Sequence, residues 1–558
     1  MLKIFCKNTG ETKDINDGST LLEVLSEFSF EKPFPIISAK VNNVSQGLKF
    51  RVYHNRDIEF LDLRDASAQR VYVRSLCFVL SKAVHDTYKG VKLHIEHPIS
   101  NGLFCRIDGV SDETIESVVD KLRQRMQEII DSKIAFHRHE VHSEEAIEMF
   151  RQCGATDKTR LLETSGQVYT DYYTLDDFVD YYYGRLVPDS GYLQVYGLEP
   201  YQNGFILQLP DTTDPTHLAE SMLQPRTIET FAEARRWNNI MHLSTVGDVN
   251  RACLDGNASQ LIQVSEALQE KKIVQIAEEI SRRHADMEHP LRVVLVSGPS
   301  SSGKTTFCKR ISIQLLACGL QPISISTDDY FVNRLDTPRL PNGQFDFDNF
   351  DTVDHEMMQR DVLRMLNGEE VEVPEYDFTT GLRQYRGKRI KLDDSSVLLL
   401  EGIHALNPYL TDRIDDKAKF RIFISALTSI NLDDHNVILP TDNRLLRRIV
   451  RDYNKDAFTA QESIRQWPNV CDAERQWIRP YQENADVMFN SALLIEFAVL
   501  RNHAEPILQT VPKNCPEYCE AHRLMRFLNY FIPVADKEIP PTSIMREFLG
   551  GSSFTYNK

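Results

Sequence analysis

The sequence predicts a multidomain protein of α/β and α+β parts, with an α+β amino-terminal half, a helical linker and a carboxyl-terminal doubly wound parallel sheet. At 558 residues the chain is too long for one hydrophobic core. Its first sixty residues combine short strand patterns with one helical pattern. From about residue 291, apolar strand patterns alternate with helical ones, which is typical of a parallel sheet covered by helices.

The segment 1–65 has the pattern of a small β-grasp module. Strand patterns at LKIFC and TKDIND flank a turn at 8–10, and further strands follow at IISAKVNN and DIEFLDL. A helix begins near Ser19, where Thr20 and Glu23 have the spacing of a capping box. This arrangement resembles the TGS domain shared by threonyl-tRNA synthetases, some GTPases and stringent-response enzymes.

The segment 66–225 extends the resemblance. The stretches RSLCFVLSKAVHDTYKGVKLHIEHPISNGLFCRID, SEEAIEMFRQCG and DFVDYYYGRLVPDSG are similar, in this order, to the second, editing-type domain of threonyl-tRNA synthetase. Editing in that family depends on an HxxxH pair and a CxxxH pair. The corresponding residues here are Arg74, Phe78, Tyr182 and Leu186. Phenylalanine and leucine cannot move protons or hold a metal, so we expect the fold without the hydrolysis. A binding or regulatory role and a purely structural role are both open.

Two further segments have helical patterns. The segment 226–290 carries apolar residues at helical spacing before a charged end and Pro290, which indicates a connector between the halves. The segment 506–558 is helical at AHRLMRFLNYF. Its end is expected to be a solvent-exposed cap without a role, and the alternative is a second phosphate nest at Arg546 with 550–552.

A phosphate-binding loop is predicted directly behind the apolar run VVLV. The stretch SGPSSSGKTT matches GxxxxGK[ST] completely, with a buried strand before it and an amphipathic helix after it. Its backbone N–H groups and Lys304 are suited to bind phosphates, and Thr305 can offer a hydroxyl to Mg²⁺. The residues expected to bind ATP here are Gly298, Pro299, Ser300, Ser301, Ser302, Gly303, Lys304, Thr305 and Thr306.

Charged residues follow the neighbouring strand patterns. Asp328 and Asp329 end the strand QPISIST, and Glu401 ends SSVLLLE, so all three are expected at the sheet edge where α/β proteins bind ligands. The helix RLLRRIVRD then brings four arginines, for which the alternative is a solvated basic face. Such carboxylates and cations suit phosphoryl transfer to a hydroxyl. A GTPase is disfavoured, because 307–505 contains no DxxG and no complete NKxD motif.

Six ordered blocks make the segment 291–505 recognisable. They are SGPSSSGKTT, STDDYF, FDFDNFD, VPEYDFTTGLR, LLLEGIHAL and RLLRRIVRD, and together they resemble the uridine kinase and phosphoribulokinase family, with uridine kinases nearest. The resemblance implies a P-loop kinase that uses ATP and Mg²⁺.

The resemblance also implies residue roles. Asp328 would be the base on the sugar 5′-hydroxyl, and Lys304 and Arg448 would complete the catalytic group. Mg²⁺ would be bound by Thr305 and Glu401. The implied nucleoside-binding residues are Asp348, Tyr376, Arg448 and Gln466, and the implied lid arginine on ATP is Arg451.

Three positions depart from the family. Gly381 stands where uridine kinases have a base-contacting histidine, and Asp456 and Phe458 stand where further lid cations are usual. Loss of a buried polar contact relaxes or changes nucleobase choice. We therefore expect transfer to the 5′-hydroxyl of a nucleoside, uridine-like or cytidine-like or of relaxed specificity. The alternative is an RNA-associated regulator that senses nucleotide and binds RNA through its amino-terminal half.

The net charge of −17 argues against general nucleic-acid binding. The first residues lack the apolar run of a signal peptide, and no segment has membrane-spanning length. We therefore expect a cytoplasmic protein without membrane contact. A homo-oligomer is left open.

Overall fold

The computed structural model describes residues 1–110, 113–340 and 343–556, and begins with a mixed five-stranded sheet. Its elements are β1 Leu2–Cys6, β2 Glu11–Ile15, α1 Leu21–Glu27, β3 Ser38–Val41, β4 Val44–Gly47 and β5 Arg56–Leu61. The strand order is β2-β1-β5-β3-β4, with β1 and β5 parallel at the centre. The Thr20 side chain accepts from the Glu23 N–H at 3.2 Å, and Glu23 accepts from the Thr20 N–H at 2.8 Å. The predicted capping box is confirmed.

The second part starts with one long helix. Its elements are α2 Ala66–Thr87, β6 Lys92–Ile99, β7 Gly102–Asp108, α3 Ile115–Asp131, β8 Phe136–His142, α4 Ser143–Gln152, α5 Thr156–Ser165, β9 Tyr169–Leu175, β10 Phe178–Asp180, β11 Gly197–Tyr201 and β12 Gly204–Gln208. The strands form two antiparallel sheets, β11-β12-β7-β6 and β10-β9-β8. Because α2 packs against α3 and carries buried residues from Ser67 to Val84, it forms the centre of this core.

Helices then lead to the carboxyl-terminal half. They are α6 Pro225–Ile240, α7 Val246–Leu254 and α8 Ala258–His284. Since α7 packs against α5, the connector is attached to the second part rather than free in solvent.

The carboxyl-terminal half is built on a parallel sheet. Its elements are β13 Val293–Ser297, α9 Lys304–Ala317, β14 Gln321–Ser326, α10 His355–Leu366, β15 Val371–Glu372, β16 Glu375–Asp377, β17 Leu382–Gln384, β18 Arg389–Ile390, β19 Ser396–Glu401, β20 Lys419–Ser425, α11 Pro440–Asn454, α12 Ala460–Trp477, β21 Val487–Asn490 and α13 Glu496–Gln509. Five strands pair in the order β14-β19-β13-β20-β21, all parallel.

Helices cover both faces of this sheet. Val293 and Leu295 of β13 join a core with α10, whereas Val294 and Val296 point to the opposite core with α9. The predicted doubly wound parallel sheet is confirmed, and it brings the carboxyl ends of β13, β14 and β19 to one edge.

The last helices are α14 Tyr518–Leu528 and α15 Arg546–Leu549. The expectation of a solvent-exposed end is wrong for residues 544–549, because Ile544, Met545 and Phe548 are at most 1% exposed, whereas residues 550 and 551 are exposed. Nor is Arg546 free to hold a phosphate, since it donates to the Asp536 carboxylate at 2.9 Å and to carbonyl oxygens nearby. In the described part of the chain, no helix has both the length and the apolar character to cross a bilayer.

Candidate active site

The predicted phosphate loop connects β13 to α9. Gly303 precedes the helix with a φ of 90°, which strongly favours glycine. A Cβ atom on Gly298 would lie 2.1 Å from the Ile424 carbonyl oxygen of β20, so the loop approaches the sheet too closely for a side chain. These constraints place the first turn of α9, with N–H groups that have no acceptor inside the helix, at the sheet edge.

Glu401 and Thr305 meet beside this loop. The Thr305 hydroxyl donates to Glu401 Oε1 at 2.8 Å. Burial raises the pKa of Glu401 to about 7, and the attraction of Lys304 acts in the opposite direction. Hydroxyl and carboxylate oxygens are ligands that Mg²⁺ takes, so this pair fits the predicted metal site.

Asp328 follows the carboxyl end of β14 in a short 3-10 turn. Burial raises its pKa to about 6, the charge of Lys304 lowers it, and the carboxylates of Asp329 and Asp348 raise it further. Burial in turn lowers the pKa of Lys304, against the attraction of Glu401 and Asp328. The structure therefore brings these predicted site residues within electrostatic reach of one another.

The arginines of α11 divide into two pairs. Arg447, fully buried, pairs with Glu496 and donates to the Ser301 and Ser302 carbonyl oxygens at 3.3 Å each. Arg444, also buried, pairs with Glu474. The alternative of a solvated basic face is therefore wrong for these two residues.

Arg448 and Arg451 share one carboxylate partner. Arg448 donates to the Ser300 hydroxyl at 3.4 Å and to Gln466 Oε1 at 3.1 Å. Asp452 pairs with both guanidinium groups, at 3.3 Å from Arg448 Nε and 2.8 Å from Arg451 Nη2. Arg448 thus contacts the phosphate loop directly, and Gln466 is joined to the loop through Arg448.

The other predicted acceptor residues lie in two places. Burial raises the pKa of Asp348, and the charges of Arg448 and Lys304 lower it, so this carboxylate lies within electrostatic reach of both cations. Tyr376 of β16 belongs to an aromatic cluster, with ring centroids 5.5 Å from Phe331 and 5.1 Å from Phe378.

His404 is a site residue that the sequence alone did not indicate. Its ring is buried, with its centroid 5.5 Å from that of Phe350, and burial lowers its pKa to about 4. It follows Glu401 by three residues, and it is a neutral imidazole at neutral pH. Its place in the block LLLEGIHAL, close to Glu401, was the sequence feature that could have indicated a residue of the site.

The departures from the family pattern have structural counterparts. Gly381 has a φ of 72°, and a Cβ atom there would lie within 2.9 Å of the Arg334 side chain. A histidine at this position would require the Arg334 side chain to move, because Arg334 occupies the adjoining space. Asp456 and Phe458 lie in the exposed turn between α11 and α12.

The editing-type positions of the amino-terminal half form a packed cluster. The Phe78 ring lies 5.4 Å from Tyr182, and both are buried, as is Leu186. Arg74 donates to the Arg185 carbonyl oxygen at 3.3 Å. These groups pack against one another and supply no acid, base or metal ligand set.

Comparisons with known proteins agree with the kinase blocks. Residues 293–494 match the phosphoribulokinase / uridine kinase family. A uridine kinase of Ligilactobacillus salivarius is 30% identical over 206 residues, which cover 37% of this chain and 87% of that protein. A uridine kinase of Ureaplasma parvum is 29% identical over 196 residues, covering 35% of this chain and 86% of the relative.

The amino-terminal part has a different relative. A threonine–tRNA ligase of Natranaerobius thermophilus is 31% identical over 157 residues, which are 28% of this chain. The match covers 24% of the ligase. The likeness is therefore to a part of that enzyme, and it carries no ligase activity to this chain.

Proposed function

Because this chain belongs to the phosphoribulokinase / uridine kinase family, we propose that it is an ATP-dependent kinase that phosphorylates the 5′-hydroxyl of a nucleoside. The observation that carries the proposal is the cluster of Lys304, Asp328 and Glu401 at the carboxyl edge of the parallel sheet. Phosphoryl transfer needs a cation on the transferred group, a base at the acceptor and a metal-binding carboxylate, and this cluster has all three.

Each residue has one task in this proposal. Asp328 takes the proton of the 5′-hydroxyl as the oxygen attacks the γ-phosphorus and the bond to ADP breaks. Lys304 and Arg448 stabilise the negative charge on the transferred phosphoryl group. Thr305 and Glu401 hold Mg²⁺, which supplies further charge neutralisation when bound.

Asp348 and Gln466 bind the nucleoside beside Arg448, and Tyr376 lies beside its base. Arg451 contacts ATP from the carboxyl end of α11. Since Leu445, Leu446, Ile449 and Val450 of α11 are buried in a large core, a closing movement is confined to the exposed turn 453–459. The absence of a histidine at residue 381 favours a choice of nucleobase that is relaxed or changed relative to that of uridine kinases.

A panel of acceptors tests the proposal. Mg²⁺-dependent ADP release is measured with nucleosides, ribose-like sugars and no acceptor, and Lys304→Ala serves as the blank. We expect release only with a nucleoside. Equal release with and without acceptors would contradict the kinase proposal.

The proposal includes a TGS-like domain and a synthetase-like second domain in the amino-terminal half, as the sequence predicts. In this proposal neither domain hydrolyses a substrate. The alternative function, an RNA-associated nucleotide sensor, is disfavoured by the net charge of −17 and by the kinase residues retained in the site. RNA contact, a homo-oligomer and a cytoplasmic location remain predictions.

A further inference from the structure

The end of the chain lies against the predicted phosphate loop. We name residues 540–556 the carboxyl-terminal strap. Ile544 is fully buried, and a Cβ atom on Gly303 would lie 2.5 Å from its Cγ2 atom. Phe548 lies under the Arg447 guanidinium, 4.9 Å from the ring centroid, and its carbonyl oxygen accepts from Asn454 at 3.0 Å. The strap therefore joins the phosphate loop to the end of α11.

The strap brings a carboxylate to the first turn of α9. Glu547 Oε2 accepts from the Thr306 N–H at 3.1 Å and from the Thr306 hydroxyl at 2.6 Å. The Tyr556 hydroxyl lies 2.9 Å from the same Thr306 hydroxyl. Thr306 itself is fully buried, so these groups complete its surroundings.

Those donors are the kind that a nucleotide phosphate requires. Thr306 is the third residue of α9, and its N–H has no acceptor inside the helix. In a P-loop, the N–H groups of this turn bind the inner phosphates, favoured by the positive end of the helix dipole. A carboxylate, like a phosphate, is an anion whose oxygens accept hydrogen bonds. Glu547 therefore accepts from the same Thr306 donors that a phosphate would use.

We propose that the Glu547 carboxylate competes with the donor nucleotide for the Thr306 N–H and hydroxyl, and thereby lowers the affinity of the protein for ATP. The inference rests on the proposed function, because it assumes that the loop binds ATP. A donor phosphate and the Glu547 carboxylate cannot both take the Thr306 N–H and hydroxyl, and two anions at this distance repel each other. The carboxylate must leave Thr306 before the inner phosphates of ATP are bound.

Charges around the loop are consistent with this competition. Glu547 raises the pKa of Lys304 and of Glu401, so its charge reaches both groups that serve the outer phosphates and Mg²⁺. The strap also contacts Asn454 at the end of α11. Departure of the carboxylate therefore loosens the strap beside the end of the helix that carries Arg448 and Arg451. Donor binding and the arginine helix are thereby coupled through the strap.

The test is the affinity of the whole protein for MgATP, measured by isothermal titration calorimetry with Glu547→Gln. This substitution keeps the size of the side chain and removes the charge. We expect the affinity for MgATP and for inorganic pyrophosphate to rise about tenfold, since the lost interaction is a charge-assisted hydrogen bond. Adenosine affinity should stay unchanged, because adenosine carries no phosphate.

Glu538→Gln is the matched control. Glu538 accepts from the Ser259 hydroxyl at 2.6 Å, in the segment that precedes the strap and away from the loop. The MgATP affinity of the Glu538→Gln protein should equal that of the unchanged protein. Tyr556→Phe removes the second partner of the Thr306 hydroxyl, together with a contact to the Ser552 hydroxyl, and should raise MgATP affinity by a smaller factor, about twofold.

Thermal unfolding without nucleotide separates competition from damage. Glu547→Gln should lower the melting temperature while it raises MgATP affinity, a combination that general destabilisation does not give. Equal or weaker MgATP binding by a folded Glu547→Gln protein would overturn the inference and leave the kinase proposal intact. Absence of MgATP binding in every variant would instead contradict the kinase proposal, and the inference with it.

Discussion

At the scale of residues, the site depends on carboxylates that burial makes less acidic. Asp328 and Glu401 have pKa values raised to about 6 and about 7, with burial as the largest cause in each case. The charge of Lys304 attracts both carboxylates and limits both shifts. A base with a pKa near the working pH is well matched to a hydroxyl proton, because it is ionised at neutral pH and still accepts a proton during attack.

The raised pKa of Asp328 predicts a pH dependence of turnover. The residue acts as a base only when ionised, so kcat at saturating ATP, nucleoside and Mg²⁺ should fall as the pH decreases through about 6. Above pH 7 it should reach a plateau, since saturating Mg²⁺ keeps Glu401 ionised. Asp351→Asn, which changes an exposed carboxylate, is the control and should keep the profile. Constant kcat between pH 5 and 8 would contradict the assignment of the base.

At the scale of elements, α11 braces the phosphate loop as well as presenting catalytic arginines. Arg447 reaches the Ser301 and Ser302 carbonyl oxygens and pairs with Glu496 at the start of α13. Both partners of the pair are at most 1% exposed. Removal of one partner leaves the other as an uncompensated buried charge.

Arg447→Met should therefore destabilise the protein by about 3–5 kcal/mol, measured as the free energy of unfolding in urea. Arg447→Met with Glu496→Leu should recover most of this loss, because no unpaired charge remains. Arg475→Met is the control, since Arg475 forms a half-exposed pair with Asp472 and should cost less than about 1 kcal/mol. A double variant as unstable as Arg447→Met would show that packing, rather than charge, accounts for the loss.

The element scale also shows how far sequence reasoning reaches. The capping box at Thr20 and the P-loop were predictable, because each depends on residues close together in the chain. The pairing of Arg447 with Glu496 was not, since helical spacing does not say which arginine of α11 faces the core. The strap was missed because its short sequence, which begins with two prolines, has no periodicity that indicates burial.

At the scale of the whole molecule, the two halves are joined by buried charges. Lys158 of α5 lies 3.2 Å from Asp180 and 3.8 Å from Asp433, which precedes α11, and all three are buried. Arg523 of α14 forms a bidentate pair with Asp442 in the first turn of α11. The synthetase-like half thus contacts the segment that precedes α11, and α14 contacts the first turn of that helix. Sequence patterns located both halves, but they could not pair residues more than 250 positions apart.

The central claim is that this chain phosphorylates the 5′-hydroxyl of a nucleoside with Asp328 as the base. The most direct measurement is the amount of nucleoside 5′-monophosphate formed from ATP and the best acceptor, by the unchanged protein and by Asp328→Asn. We expect 5′-monophosphate from the unchanged protein and a loss of at least about 10²-fold in Asp328→Asn, with MgATP affinity kept within a few-fold. A product phosphorylated at another position, or comparable turnover by Asp328→Asn, would contradict the account.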